Sequence, residues 1–289
     1  MTRPILAGAD GTDSGLDAVA FGARLAGAIE APLTVVCVSP EQAGLVGVEA
    51  EEDVARHAAA ILESAREVVG DLEAELRTVT ATSPARGLAE LAEADGAEAV
   101  VVGSTHRGAI GRVMSGSTAE RLLHGSGCPV AVAPRGYRRH RPEPLRAIGA
   151  AFTDTPEGHE AVRVAAELAQ RAGLPLTVYS VVGLHANWLR PEAVQPDASV
   201  VPEEVRKVAR DTLDRVVAEQ PTGIRANGEL LIGEVVDELS MAADRGVDLL
   251  VCGSRGYGPV RRVLLGTVSS ALVRQASVPT LVVPRAETG

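Results

Sequence analysis

Short apolar runs alternate with amphipathic stretches along the whole chain. The runs are PILAGA, PLTVVCV, ELRTVTA, AEAVVVG and PVAVAP, and later AIGAAF, PLTVYSVV, RANGELLI, VDLLVCG and PTLVVP. Each has strand length, is rich in Val, Leu, Ile and Ala, and is bounded by turn-forming residues. Between them, apolar positions recur at helical spacing over about 15–30, 51–70, 86–96 and 117–125, with equivalent stretches in the second half. Unbroken apolar strands separated by amphipathic helices predict a parallel sheet covered on both faces. Right-handed crossovers then give a Rossmann-like, doubly wound α/β domain. Sheets of this kind bind ligands beyond the carboxyl ends of their strands, where strand order reverses. Functional residues are therefore expected just after strands one and four.

The pattern occurs twice. VVVGSTHRGAIGRVMSGSTAERLLHGSGCPVAVAPR at 100–135 aligns without a gap on LVCGSRGYGPVRRVLLGTVSSALVRQASVPTLVVPR at 250–285, an offset of 150. The beginnings also match: ILAGADGTDSGLDAVAFGARLA from Ile5 lies over IGAAFTDTPEGHEAVRVAAELA from Ile148, an offset of 143. A longer middle segment in the second half, around HANWLRPEAVQPDASVVPEE with the single Trp188, absorbs the difference. The expected organisation is a first α/β domain over 1–137, a linker over 138–145 and a second domain over 146–289. The stretch PRGYRRHRPEP at 134–144 has no apolar periodicity, and its arginines read as a solvated linker face.

Charge and composition narrow the partners. A net charge of −10 leaves no basic field to gather a nucleic-acid backbone. No apolar run reaches membrane-spanning length, and MTRPILAGADGT lacks a signal-peptide pattern, so a cytoplasmic protein is expected. The three cysteines, Cys37, Cys128 and Cys252, have no metal-ligand spacing and lie in or beside apolar runs, as small reduced core residues do.

The chemistry concentrates after the fourth strand. In the second half Gly253-Ser254-Arg255-Gly256 is followed, nine residues on, by Gly266-Thr267. Glycines let the main chain approach phosphate oxygens, and a helix opening at Gly-Thr offers unpaired amides and the positive end of its dipole. The Thr267 hydroxyl can donate to a phosphate, and Val268 and Ser269 continue the first turn. Ser117 and Thr267 also suit plain helix capping, and Gly108 and Gly258 suit plain turns.

These residues resemble the ATP-binding form of the universal stress protein family, with its G-x2-G-x9-G-[S/T] pattern. The likeness spans both halves outside the linker and the segment 185–202. It implies a five-stranded parallel sheet of order 3-2-1-4-5 in each half, with ATP across the ends of strands one and four. By that likeness Gly8 and Asp10 follow strand one in the first half, with Asp10 contacting the adenosine moiety; an N-cap is the alternative for Asp10. Ala151 occupies the place of Gly8 in the second half, and Val38 and Val181 pack beside adenine. Gly103, Ser104, Gly116, Ser117 and Thr118 form the first phosphate cradle. The likeness also implies that the fifth strands pair antiparallel within the chain and that the protein is a homodimer.

Two departures stand out. His106 replaces the second motif glycine of the first half, followed by Arg107 and Gly108, which keep the loop flexible and add a charge that can reach a triphosphate. Thr153 replaces Asp10 in the second half, with Asp154 one residue later and so turned to the other face. The P-loop lysine motif is absent, the single Lys207 is far from the loops, and no nucleophile elbow or kinase set occurs. The resemblance together with these absences leads to the expectation of a chain that holds ATP, with or without Mg²⁺, as a regulatory ligand and hydrolyses it slowly at most. The alternatives are an ATP-dependent hydrolase or transferase and a scaffold without nucleotide.

Overall fold

The structure is a computed structural model that describes residues 2–41, 48–104, 118–140, 144–183, 201–254 and 266–284. The chain divides into two compact units, the first running to Pro144 and the second from Leu145.

In the first unit, β1 (Ile5–Gly8) leads into α1 (Asp13–Ala28), followed by β2 (Leu33–Pro40), α2 (Val48–Val69), β3 (Ala74–Ala81), α3 (Pro84–Ala94), β4 (Ala99–Gly103), α4 (Thr118–Gly125), β5 (Val130–Ala133) and a short α5 (Tyr137–His140). The second repeats the series as β6 (Ile148–Phe152), α6 (Pro156–Ala172), β7 (Leu176–Gly183), α7 (Glu203–Ala218), β8 (Ala226–Gly233), α8 (Val235–Gly246), β9 (Leu249–Gly253), α9 (Thr267–Gln275) and β10 (Thr280–Val283). Strand order is β3-β2-β1-β4-β5 in the first unit and β8-β7-β6-β9-β10 in the second, and each neighbouring pair within a unit is parallel. This is the expected order 3-2-1-4-5, once per half.

The central strands are apolar throughout because they are covered on both faces. Ile5, Leu6 and Ala7 of β1 and Val100 and Val101 of β4 have no exposed surface. β3 lies at an edge, and its side chains alternate between more and less exposed. Helices begin where the sequence offers a cap. Thr12 accepts from the amide of Gly15 at the start of α1, Ser83 from that of Arg86 before α3, and Thr155 from that of Gly158 before α6. Helix α6 ends on Gly173 in the left-handed region, φ 65°, where a glycine carries no steric cost.

Cys37 and Cys252 are buried and Cys128 is half-buried. Burial pushes the thiols of Cys128 and Cys252 up to about 12 and raises that of Cys37, beside the negative charge of Asp10. All three are protonated core thiols at neutral pH, as their apolar surroundings suggest.

The stretch expected to be linker is partly structured. Residues Tyr137–His140 form α5, Tyr137 is buried, and its ring meets Phe21 of α1 edge-on at 5.4 Å. Arg138 and Arg139, read from sequence as solvated, both pair with Asp13.

Candidate functional site

In each unit β1→β2 and β4→β5 (or their counterparts) leave the sheet in opposite directions, so a fork opens between the first and fourth strand ends. In the first unit Gly8 closes β1, and the backbone continues in register to Ala9, whose amide donates to Val36 O at 2.9 Å. Asp10 follows and is exposed. Its Oδ1 accepts from the Thr12 amide at 3.0 Å and the Thr12 hydroxyl at 2.6 Å. Thr12, not Asp10, is the N-cap of α1, and Asp10 orients the capping hydroxyl. Gly15 follows at the next turn, where an added Cβ would lie 2.9 Å from the backbone nitrogen of Asp10 and against its Oδ1.

The end of β4 meets the same helix. A Cβ on Gly103 would collide with the carbonyl oxygen and hydroxyl of Ser14, so this glycine first serves the close approach of strand and helix. Ser104 is held from two sides: its amide donates to Ala133 O at 2.9 Å, and its carbonyl accepts from Ser14 Oγ at 2.8 Å. The first turn of α1 thus touches both strand ends of the fork. Val38 is half-buried under α3, where a Cβ on Gly87 would sit 2.9 Å from Val38 Cγ1. Thr118, half-buried, opens α4.

The second unit repeats the frame with different groups. Ala151 is half-buried in β6, in register with Tyr179, and Val181 is half-buried in β7. After β6, the carbonyl of Thr153 occupies the space above Gly158 that the carboxylate of Asp10 occupies above Gly15. Asp154 does not take over the place of Asp10; its carboxylate lies 2.8 Å from Nε2 of His159, whose ring stands edge-on to Phe152 at 5.2 Å. At the fourth strand, a Cβ on Gly253 would lie 2.5 Å from Glu157 O, the counterpart of Ser14. Ser254 is buried, its amide donating to Val283 O at 2.9 Å.

The start of α9 completes this side. Gly266 is its N-cap in extended conformation, φ −67° and ψ 159°, and brings no side chain to the first amides. Thr267 is exposed, Val268 half-buried and Ser269 buried. The Ser269 hydroxyl donates to Gly253 O at 2.8 Å, tying the helix to the end of β9 and leaving the amides of the first turn as its donor set. His106, Arg107, Gly108, Gly116, Ser117, Arg255, Gly256 and Gly258, together with Trp188, lie outside the described residues.

Sequence reasoning passed over one feature. Beyond the ends of β6 and β7 lies a groove of about 480 Å³ lined by Phe152, Thr153, Asp154, Ser180, Glu204, Val205, Val208, Ala209 and Thr212. Its walls are mostly apolar, and Val205 and Val208 of α7 stay exposed along it. In the first unit, by contrast, Ile61 of α2 reaches over Gly11 next to Asp10. A valine pair on the first turns of α7 was the only signal for this in the sequence. Among the described residues no group of His, Cys, Asp and Glu is placed to hold a metal ion, and no helix is long and apolar enough to cross a membrane.

Comparison with known proteins agrees with this frame. The universal stress protein family matches residues 1–134 and again residues 144–284. A universal stress protein of Mycolicibacterium smegmatis is 30% identical over 298 aligned residues, covering 96% of both chains. One of Mycobacterium tuberculosis is 32% identical over 212 residues, covering 70% of this chain and 69% of its own. A universal stress protein of Archaeoglobus fulgidus, at 16% identity, shares the fold with a TM-score of 0.70 over 99% of this chain and all of its own. With the family matched in each half, the same strand order in both units and a relative of the same kind over 96% of the chain, the chain belongs to the universal stress protein family.

Proposed function

We propose that the protein binds ATP at the fork between the first and fourth strands of each half, and that occupancy acts as a conformational or partner switch. The observation that carries the reading is the start of α9. A helix whose N-cap is a glycine, set beside the ends of β6 and β9, offers backbone amides and a positive dipole end to an anion. The exposed hydroxyl of Thr267 adds a donor.

The two halves supply different contacts for the nucleoside. In the first, Thr12 holds Oδ1 of Asp10, which leaves Oδ2 to accept from a ribose hydroxyl. In the second, the Thr153 carbonyl stands in that place, and the apolar groove beside Phe152 and Val205 offers area for a base. The first half is therefore expected to discriminate more strongly by the ribose and the second by the base. Mg²⁺, where present, rides on the phosphate oxygens. Holding rather than splitting the nucleotide fits a cradle without a lysine of the P-loop kind. Ligand binding stabilises whichever conformation binds better, which is all that a switch requires. A homodimer in a reducing cytoplasm belongs to the same reading.

The test is mass spectrometry of small molecules released by denaturing the purified protein, together with a turnover assay. The reading expects adenine nucleotide in the released fraction and product release slower than about 1 s⁻¹, the lower end for typical enzymes. Faster steady turnover would make the protein an enzyme, and an empty protein that also fails to bind added ATP would make it a scaffold.

A further inference from the structure

Helix α1 of the first half holds the segment that follows β5. Asp17, on the second turn of α1, is 1% exposed, yet its carboxylate accepts from two amides more than a hundred residues away. Oδ2 takes the amide of Gly136 at 2.6 Å and Oδ1 that of Arg138 at 3.0 Å. One turn earlier Asp13 pairs with the guanidinium groups of Arg138 and Arg139. One turn later the ring of Tyr137 packs on Phe21, with the Arg24 guanidinium 4.8 Å from its centroid. Three successive turns of α1 therefore grip the segment that leaves the first domain. At the offset of 143 the matching positions of α6 are Pro156, Glu160, Val164 and Glu167, so the second helix has neither the aromatic ring of Phe21 nor the guanidinium of Arg24 at these places. Glu160 and Glu167 instead share Arg163. Among the described residues the grip is seen on α1.

The same helix reaches the fork with its first turn. Ser14 donates to Ser104 O, and Gly15 sits against Asp10. We propose that Asp17 and Tyr137 form a latch that couples the exit segment 134–140 to the nucleotide fork of the first half through α1. Docking of the segment braces the first turn of α1, and the first turn of α1 holds Ser104 and Asp10 in place. Whatever tightens one end of the helix tightens the other, and by linkage the effect runs both ways. The ligand arm of this proposal rests on ATP binding at the fork; the mechanical arm does not.

The experiment is residue-resolved amide exchange by NMR on the full chain, first without nucleotide. In Tyr137→Ala the amides of Gly136 and Arg138 should exchange faster. Those of Gly15, Leu16 and Ser104 should follow by about five-fold or more, the lower end of typical coupling. Gly158 and Ser254 in the second half should not change, which reports an intact fold. A released 134–140 segment with Gly15, Leu16 and Ser104 at parent rates would overturn the latch. Should Tyr137→Ala unfold, Asp17→Asn is read the same way, since it keeps the shape and turns one acceptor into a donor facing an amide. Adding saturating ATP to the parent should slow exchange at Gly136 and Arg138. ATP that binds by calorimetry but leaves these amides unchanged would overturn the ligand arm. Absence of ATP binding would overturn both that arm and the proposed function, while the mechanical arm stands or falls by the nucleotide-free comparison.

Discussion

Replacing Gly253 by alanine tests the close approach on which the fork is built. An added Cβ would lie 2.5 Å from the carbonyl oxygen of Glu157 and 2.9 Å from its carbonyl carbon. Both are backbone atoms in the first turn of α6, so no flexible side chain can move aside. The turn is itself pinned by the Thr155 cap and by Gly158 lying against Thr153. Relief requires strand and helix to part by about half an ångström or more, which for an overpacked interior costs about 1–3 kcal/mol. For a domain of this size that corresponds to a fall in Tm of about 2–12 °C. The displacement also reaches Ser269, whose hydroxyl is bonded to Gly253 O, so ATP affinity in the second half should fall as well. Gly125→Ala is the control. It lies at the end of α4 with no atom within 4 Å of the added carbon, and it should be neutral or stabilising by up to about 1 kcal/mol. Thermal melts of the two variants beside the parent decide the matter. Equal melting temperatures for Gly253→Ala and the parent would refute the steric reasoning.

Other consequences follow from single residues. Gly173→Ala places a Cβ at φ 65° on the C-cap of α6 and should destabilise by about 1–2 kcal/mol in denaturant titration, with no change in ligand binding. With thiol acidities near 12, Cys128 and Cys252 should be ionised to about one part in ten thousand at pH 8, rising about tenfold per pH unit, so iodoacetamide should label the native protein slowly and the denatured protein rapidly. Asp10→Ala removes the acceptor that orients the Thr12 hydroxyl and should cost about 0.5–1.5 kcal/mol in stability, along with ATP affinity in the first half. Arg56→Ala, whose exposed guanidinium on α2 pairs at the surface with Asp53, should leave ATP affinity unchanged in calorimetry.

Much of this fold can be read from the chain, because a parallel sheet buried on both faces writes its strands as uninterrupted apolar runs. PLTVVCV and PLTVYSVV mark β2 and β7 to within a residue or two. The duplication makes each half a check on the other. What stayed hidden depends on contacts distant in sequence. Nothing local in PRGYRRHRPEP announces that Tyr137 is buried, because Asp17, Phe21 and Arg24 lie more than a hundred residues away. The glycines after the fourth strands read as phosphate glycines, and only the geometry adds that Gly103 and Gly253 are needed against Ser14 and Glu157 of the first helix of each unit. Thr12 and Asp10 both suit an N-cap by composition, and only the geometry assigns the cap to Thr12 and its orientation to Asp10. The groove beside α7 depends on how that helix lies over β7, which helical periodicity alone does not set.

The central claim is that main-chain amides at two helix starts hold a nucleotide, and isothermal titration of ATP into the parent, Gly266→Val and the Gly116→Val, Gly266→Val double variant tests it most directly. Two sites in the parent, one in the single variant and none in the folded double variant are expected. An unchanged stoichiometry across all three, or no binding to the parent, would contradict it.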